Sequence, residues 1–300
     1  MKNSMLSHAG RTDADHGAVL LAERRRIETR GDLDDAPVGE LLSLFDQLCE
    51  FPLGRFLILN KGLDAFWTNE LVTWTPEHPR ELHPLERILF TQLPATLATR
   101  ERYGIFCREL QKRLMPGGAM ASVPCGLMTD LLNLAGAKNV RLVGIDMDEA
   151  ALAQARALAE QKGVLANTTL IEGDAWQMTF TEEFDVLTSN GLTIYESSDE
   201  RVTELYALFY RALKKGGTLV TSFMTPPPFL TSDSSWKMER LDPALLRLQK
   251  CLFMQVIGTK WNALRTEKTT LQQLTQAGFR NIRVINDHAG LFPTVLAEKG

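Results

Sequence analysis

The chain is 300 residues long, 44% hydrophobic and 23% charged, with a formal net charge of −4. That supplies enough apolar material for one large domain, or a domain with an appendage, and excludes a chain disordered throughout. A net negative chain also lacks the broad basic face with which nucleic-acid readers neutralise phosphates, so no nucleic-acid partner is expected.

Local features agree. Arg24-Arg25-Arg26 lies among Glu23, Glu28, Asp32, Asp34 and Asp35, a mixed-charge surface. No apolar run approaches the ~20 residues needed to span a bilayer. Met1 to Gly17 is polar and lacks the apolar stretch of a signal peptide. Cys49, Cys107, Cys125 and Cys251 are scattered, with neither a CxxC pair nor a metal-binding His spacing. The expectation is a soluble cytoplasmic protein with reduced thiols, no metal and no membrane partner.

Residues 1–37 are polar and without a sustained period, which predicts a flexible tail with at most one short helix around Val19 to Ile27. From Val38 the period becomes helical. Leu41, Phe45 and Leu48 stripe a first helix, which Pro52 and Gly54 are expected to end. Leu63, Phe66, Trp67 and Leu71 mark a second, and Leu85, Ile88, Leu89 and Leu93 a third, stopped by Pro94. Tyr103, Phe106, Leu110 and Leu114 stripe a fourth, which runs into Pro116-Gly117-Gly118. Residues 38–117 thus read as a helical cap without a core of its own, packing on the carboxyl-terminal part of the chain.

From Gly118 to the end at 300, short apolar strands alternate with helices, the pattern of βαβ units. Strands are expected at Met120–Pro124, Val140–Ile145, Thr168–Ile171, Phe184–Thr188 and Thr218–Phe223, with helices at Thr129–Leu134, Glu149–Lys162 and Glu200–Lys214. Asp148 suits the N-cap of the second helix and Gly163 its C′ position. After Thr225-Pro226-Pro227-Pro228 an insertion (225–265) rich in large apolar residues precedes a helix at Thr270–Ala277. Strands Arg280–Ile285 and Phe292–Ala297 are joined by too little chain for a crossover, so they are antiparallel neighbours. The fold class is α/β: a doubly wound, mostly parallel seven-stranded sheet with an antiparallel last strand and an N-terminal helical cap.

In such sheets ligands bind at the carboxyl ends of the strands. After the first strand comes Cys125-Gly126-Leu127-Met128, where Gly126 permits a sharp turn and a close ligand. Asp146, 20 positions further and followed by Met147, is placed to accept both hydroxyls of a ribose. Gly173-Asp174-Ala175 ends the third strand and offers a carboxylate and amides to an adenine edge, although an Asx turn explains the same residues. Ser189-Asn190-Gly191 ends the fourth.

Taken together, Phe184-Asp185-Val186-Leu187, Leu213-Lys214-Lys215-Gly216-Gly217-Thr218-Leu219 and Ala277-Gly278-Phe279, with an acid ending the second strand and Gly-Asp-Ala ending the third, resemble the class I S-adenosylmethionine-dependent methyltransferases from Ala119 to Lys299. The resemblance implies S-adenosylmethionine as cofactor. It implies Asp146 on the ribose hydroxyls, Gly173, Asp174, Ala175 and Trp176 around the adenine, and Gly126 beneath the methionine portion, with Ser122, Pro124, Cys125, Met147, Ser189, Asn190 and Gly191 completing the cofactor contacts. The first loop departs from the family. Where an acid and a Gly-x-Gly-x-Gly turn are usual, this chain has Ser122-Val123-Pro124-Cys125-Gly126-Leu127-Met128, which marks either a divergent subgroup or a decayed site.

Two side chains are candidates for handling a proton. His288 lies in the turn after the sixth strand, and histidine is the side chain type best suited to act as a base in water, though a solvent-exposed turn residue fits the same place. Tyr195 follows the fourth strand. The expected activity is methyl transfer to a small organic acceptor, with a homodimer as the compatible assembly. The alternatives are a non-catalytic S-adenosylmethionine-binding scaffold and a nicotinamide-dependent oxidoreductase. The latter needs Gly-x-Gly-x-x-Gly, which Pro124, Gly126 and Met128 do not provide.

Overall fold

The computed structural model describes residues 13–77 and 80–300. In chain order its helices begin with α1 (Asp13–Arg30), α2 (Val38–Cys49), α3 (Pro52–Asn60), α4 (Ala65–Thr73), α5 (Pro84–Thr91) and α6 (Pro94–Arg113). There follow β1 (Ala119–Ser122), α7 (Thr129–Leu132), β2 (Arg141–Asp146), α8 (Glu149–Gln161), β3 (Thr168–Glu172), β4 (Phe184–Ser189), α9 (Asp199–Ala212) and β5 (Leu213–Ser222). The chain ends with α10 (Pro243–Lys250), a π-helical stretch at Cys251–Ile257, α11 (Glu267–Gln276), β6 (Phe279–Ile285) and β7 (Thr294–Lys299).

Two compact units emerge. One holds residues up to Leu97 together with Leu241–Trp261, the other Ala98–Arg240 and Asn262–Gly300. The expected division at 117/118 therefore moves into α6, and part of the 225–265 insertion joins the helical unit. The physical reason lies in the stripes. Phe106 and Leu110 of α6 are buried in the cluster that covers one face of the sheet.

The helical unit corrects the expectation that it lacks a core. Leu41, Leu44 and Leu48 of α2, Leu57 of α3, Leu85 and Leu89 of α5 and Leu252 and Val256 of the π-helical stretch form one buried cluster. The flexible-tail reading of 1–37 also fails over its described part: α1 runs 18 residues and buries Ile27 completely. Residues 1–12 lie outside the described residues. Pro52, expected to end a helix, starts one. It occupies the first turn of α3, where its missing N–H is not needed and its fixed φ is already helical.

The second unit carries the expected seven-stranded sheet, in the order β3-β2-β1-β4-β5-β7-β6. β1 to β5 are mutually parallel, and β7 runs antiparallel to both β5 and β6. Central strand β1 is buried on both faces, as its small apolar sequence requires. The motifs most specific to the family prove to be scaffold. Asp185, at the amino end of β4, accepts from the Ala119 amide and the Lys214 ammonium, both at 2.8 Å. Gly217 passes so close to β4 that a Cβ would stand 3.1 Å from the Phe184 carbonyl oxygen. Gly278, at φ +105, lies under the Tyr210 ring, and Phe279 meets that ring edge-on at 5.2 Å.

Two glycines of the helical unit test its packing in opposite directions. Gly17 on α1 is exposed with nothing near its Cβ position, so Gly17→Ala should stabilise by about 0.5–1 kcal/mol through helix propensity. At Gly54 a Cβ would meet the Leu48 carbonyl oxygen at 2.1 Å and its carbonyl carbon at 2.8 Å. Gly54→Ala forces backbone apart and should cost roughly 3 kcal/mol. Urea unfolding of both variants checks the pair, and equal effects would contradict the described contact of α2 with α3.

Candidate active site at the carboxyl edge of the sheet

The strand order sets β3, β2, β1 and β4 side by side, so the loops after them share one edge. Asp146 joins three of those loops. Its Oδ2 accepts from the Gly126 amide at 2.8 Å, its Oδ1 from the Asp148 amide at 3.0 Å, and its carbonyl from the Gly173 amide at 2.9 Å. Burial raises its carboxyl above the ordinary range, opposed by the Asp148 and Gly126 amides and reinforced by the Asp148 charge. Two amides use only part of a carboxylate's acceptor capacity, which leaves lone pairs for a ligand. Met147 beside it is exposed. Asp148 caps α8 through the Ala150 amide at 2.9 Å, as expected.

The departing first loop has a physical account. Val123–Pro124 is cis, Gly126 stands at φ +49, and Met128 takes a left-handed φ of 58 at the start of α7. Glycine would be the ordinary choice there. Met128 is nevertheless 1% exposed, because its side chain turns into the core. Its Sδ lies 3.0 Å, and the Cys125 Sγ 2.9 Å, from where a Cβ on Gly144 would stand. The bulk that replaces a glycine is therefore held beside β2.

On the β3 side, the Asp174 side chain accepts from the Trp176 amide at 2.9 Å, so the Asx-type turn is present. The Trp176 indole donates to the Arg201 carbonyl at 2.9 Å, and the Arg201 guanidinium lies 5.0 Å from its ring centre. Ala175 is buried and Gly173 half-buried. On the β4 side, Ser222 Oγ lies 3.3 Å from both the Asn190 Oδ1 and the Gly191 amide. The buried Ser189 hydroxyl has no partner among the described residues.

The two proton-handling candidates fall in different settings. His288 is exposed, its amide donating to Glu101 at 2.7 Å and its carbonyl accepting from Arg240 at 2.9 Å. Tyr195 is half-buried, and burial pushes its phenol up to about 12 against the pull of Arg102. It is a hydrogen-bond donor at neutral pH, not a base.

Asp130 was missed in the sequence, where only its place in the first turn of a four-residue helix could have signalled it. It lies buried in α7, with the Ser122 hydroxyl 3.3 Å from its Oδ2 and the Leu131 amide 3.0 Å from its Oδ1. Burial pushes its carboxyl up to about 6, against the pull of the Thr188 and Ser122 hydroxyls and the Leu131 amide. An acid thus stands behind Ser122, the position where the family usually carries one.

This sheet order, with an acid ending β2 and glycine-bearing loops after β1 and β3, coincides with a match of residues 121–217 to the family described as methyltransferase domain. Residues 121–217 carry a methyltransferase domain, of the class I S-adenosylmethionine-dependent kind. A crystal structure described as a possible exported protein from Bordetella parapertussis is 48% identical, covers 99% of both chains and has a TM-score of 0.93. Geranyl diphosphate methyltransferase in complex with S-adenosylmethionine is 13% identical, covers 69% of this chain and 90% of that one, and has a TM-score of 0.50, a likeness of fold. Among curated proteins, the probable cobalt-precorrin-6B C(15)-methyltransferase (decarboxylating) of Saccharolobus solfataricus is 30% identical over 112 residues, 36% of this chain and 53% of that one. The match spans about half the length of that relative. Among the described residues, no helix is long and apolar enough to cross a membrane.

The family's cofactor is S-adenosylmethionine, and the residues present fit it. Asp146 keeps free acceptor capacity, Gly126 turns at φ +49 without a side chain, the Ser189 hydroxyl lacks a partner among the described residues, and the Met128 side chain lies in the core.

Asp130 and the first loop each yield a measurable outcome. For Asp130 the folded carboxyl titrates above its ordinary 3.8, so the native state holds a proton that the unfolded chain releases. Stability should therefore fall as pH rises from about 4 through about 6 and level off above, and Asp130→Asn should remove that slope, gaining on the order of 2 kcal/mol at pH 7–8. Unfolding measured across pH 4–8 checks it. For the loop, Pro124→Gly with Met128→Gly should cost about 2–4 kcal/mol of stability by emptying the Met128 site, and should weaken cofactor binding. Calorimetric titration with S-adenosylmethionine decides, and tighter binding by the double variant would make the loop a decayed one.

Proposed function

We propose that this chain transfers the methyl group of S-adenosylmethionine to a small organic molecule. The observation that carries the reading is Asp146, held by the Gly126 and Asp148 amides where the loops after β1, β2 and β3 meet. In this reading Asp146 holds the ribose hydroxyls. Gly173, Asp174, Ala175 and Trp176 border the adenine, and Gly126 and the first loop lie beneath the amino-acid end. Ser189, Asn190 and Gly191 face the reacting centre.

The bound cofactor supplies a sulfonium methyl that is already electrophilic, so the chain's task is alignment and exclusion of water. Tyr195 fits that task as a neutral donor that orients the acceptor, because its phenol is pushed up to about 12. His288 could take a proton only from an acceptor that reaches its exposed turn. A small acceptor suits a chain of net negative charge, and the Saccharolobus solfataricus relative is named for methylation of a cobalt-precorrin.

The test has two stages. Calorimetry should show binding of S-adenosylmethionine and of S-adenosylhomocysteine, and Asp146→Ala should weaken both by about 1.5–3 kcal/mol per lost hydrogen bond. A folded Asp146→Ala protein that binds as tightly as the parent overturns the assignment. Release of S-adenosylhomocysteine in the presence of candidate acceptors then separates an enzyme from a binding scaffold.

A further inference from the structure

The chain buries two arginines in its sheet-bearing unit, and they differ in one respect. Arg265 is 5% exposed and fully engaged: its Nε donates to Asp199 at 2.8 Å, its Nη1 to the Thr193 carbonyl at 3.0 Å and its Nη2 to the Glu196 carbonyl at 2.6 Å. Arg102 of α6 is 6% exposed, and its guanidinium makes no hydrogen bond or ion pair among the described residues. Its Nε is buried without a partner, and its planar group lies 5.2 Å from the centre of the Phe292 ring. The nearby carboxylate of Asp287 is already occupied by the amides of Ala289 at 3.1 Å, Leu291 at 3.2 Å and Phe292 at 2.6 Å. A buried, unpaired guanidinium is costly, and in a native fold an unsatisfied group of this kind calls for a reason.

The location supplies one. Arg102 Nη2 is 4.0 Å from where a Cβ on Gly191 would stand, so the group reaches the loop after β4. Tyr195, Asp287 and Phe292 complete its surroundings, all following β4 or β6 at the carboxyl edge. Desolvation lowers its pKa to about 10, with Asp287 and Tyr195 opposing, so it stays a cation at neutral pH. A planar cation with an aromatic face behind it and a glycine before it suits a planar anion taken in two-pronged fashion.

We propose that Arg102 is the receptor for the carboxylate of a small molecule bound at the carboxyl edge, and that this carboxylate belongs to the methyl acceptor. The inference rests on the methyl-transfer reading only for the identity of that molecule. The amino-acid end of the methyl donor carries the same chemistry, and its place beneath the loop after β1 makes it the second source.

The experiment compares the parent with Arg102→Met, which keeps the apolar stem without the charge, and Arg102→Lys, which keeps the charge without the fork. Without ligand, Arg102→Met should have a Tm equal to or above the parent's. Acetate, benzoate and citrate should include at least one that raises the parent's Tm, while benzyl alcohol should not. That rise should vanish in Arg102→Met and shrink in Arg102→Lys. S-adenosylhomocysteine affinity should be unchanged in all three. If Arg102→Met instead binds S-adenosylhomocysteine about tenfold more weakly and methylthioadenosine, which lacks the amino-acid end, as the parent does, the receptor stands and its carboxylate is the donor's. A fall in Tm for Arg102→Met, with no Arg102-dependent effect of any carboxylate and unchanged S-adenosylhomocysteine binding, overturns the proposal. Failure of the parent to bind S-adenosylhomocysteine would sink the methyl-transfer reading, while the three carboxylates would still judge Arg102.

Discussion

The loops after β1, β2 and β3 are held in register by Asp146. Its side chain fixes the amide of Gly126 and its backbone fixes that of Gly173, so three chain segments that share no sequence neighbourhood converge on one residue. A carboxylate can do this only if its charge survives burial. The raised carboxyl records the cost of that burial, and the amides aimed at it offset the cost. Exchange for asparagine would place a donor where an acceptor is required and leave one of the two amides, of Gly126 or of Asp148, facing another donor. The geometry of the edge thus depends on a group whose other lone pairs are available to a ligand, which couples loop order to occupancy.

Much of the sheet was legible from period and punctuation. Alternating short apolar runs and helical stretches placed the strands, and the short link between β6 and β7 required antiparallel pairing. The motifs that carried the family resemblance were legible because they do a local, stereotyped job. Asp185 joins β1 to the start of β5, and Gly278 accommodates a tyrosine ring. Asp185 lies four residues, roughly 13 Å, from Ser189 at the functional end of β4, so these signatures report the scaffold and carry no information on the acceptor.

What was not legible depended on contacts distant in sequence. The core of the helical unit is closed by residues some two hundred positions from α2, so the one-sided stripe of α2 appeared to lack a partner. Pro52 was read as a stop because its effect differs between the interior and the first turn of a helix. Asp130 and Arg102 sit in ordinary-looking helical sequence, and only their burial distinguishes them from solvated charges. Met128 stood out only as a departure from the family's glycine pattern, and the glycine at 144 beside which its side chain packs is invisible without the fold.

The closing of the helical core by Cys251, Leu252, Val256 and Ile257 has a consequence for biosynthesis. A ribosome that has delivered α5 must still make the whole of β1 to β5 before those four residues emerge. At about 5–20 residues per second that is an interval on the order of ten to thirty seconds. During it the part of the helical core that those four residues cover stays open to water, while the first strands of the sheet are already free to pair. The amino-terminal unit, the first to be begun, therefore stays incomplete until Trp261 has been made, and the nascent chain should need chaperone protection at its leading end over that interval.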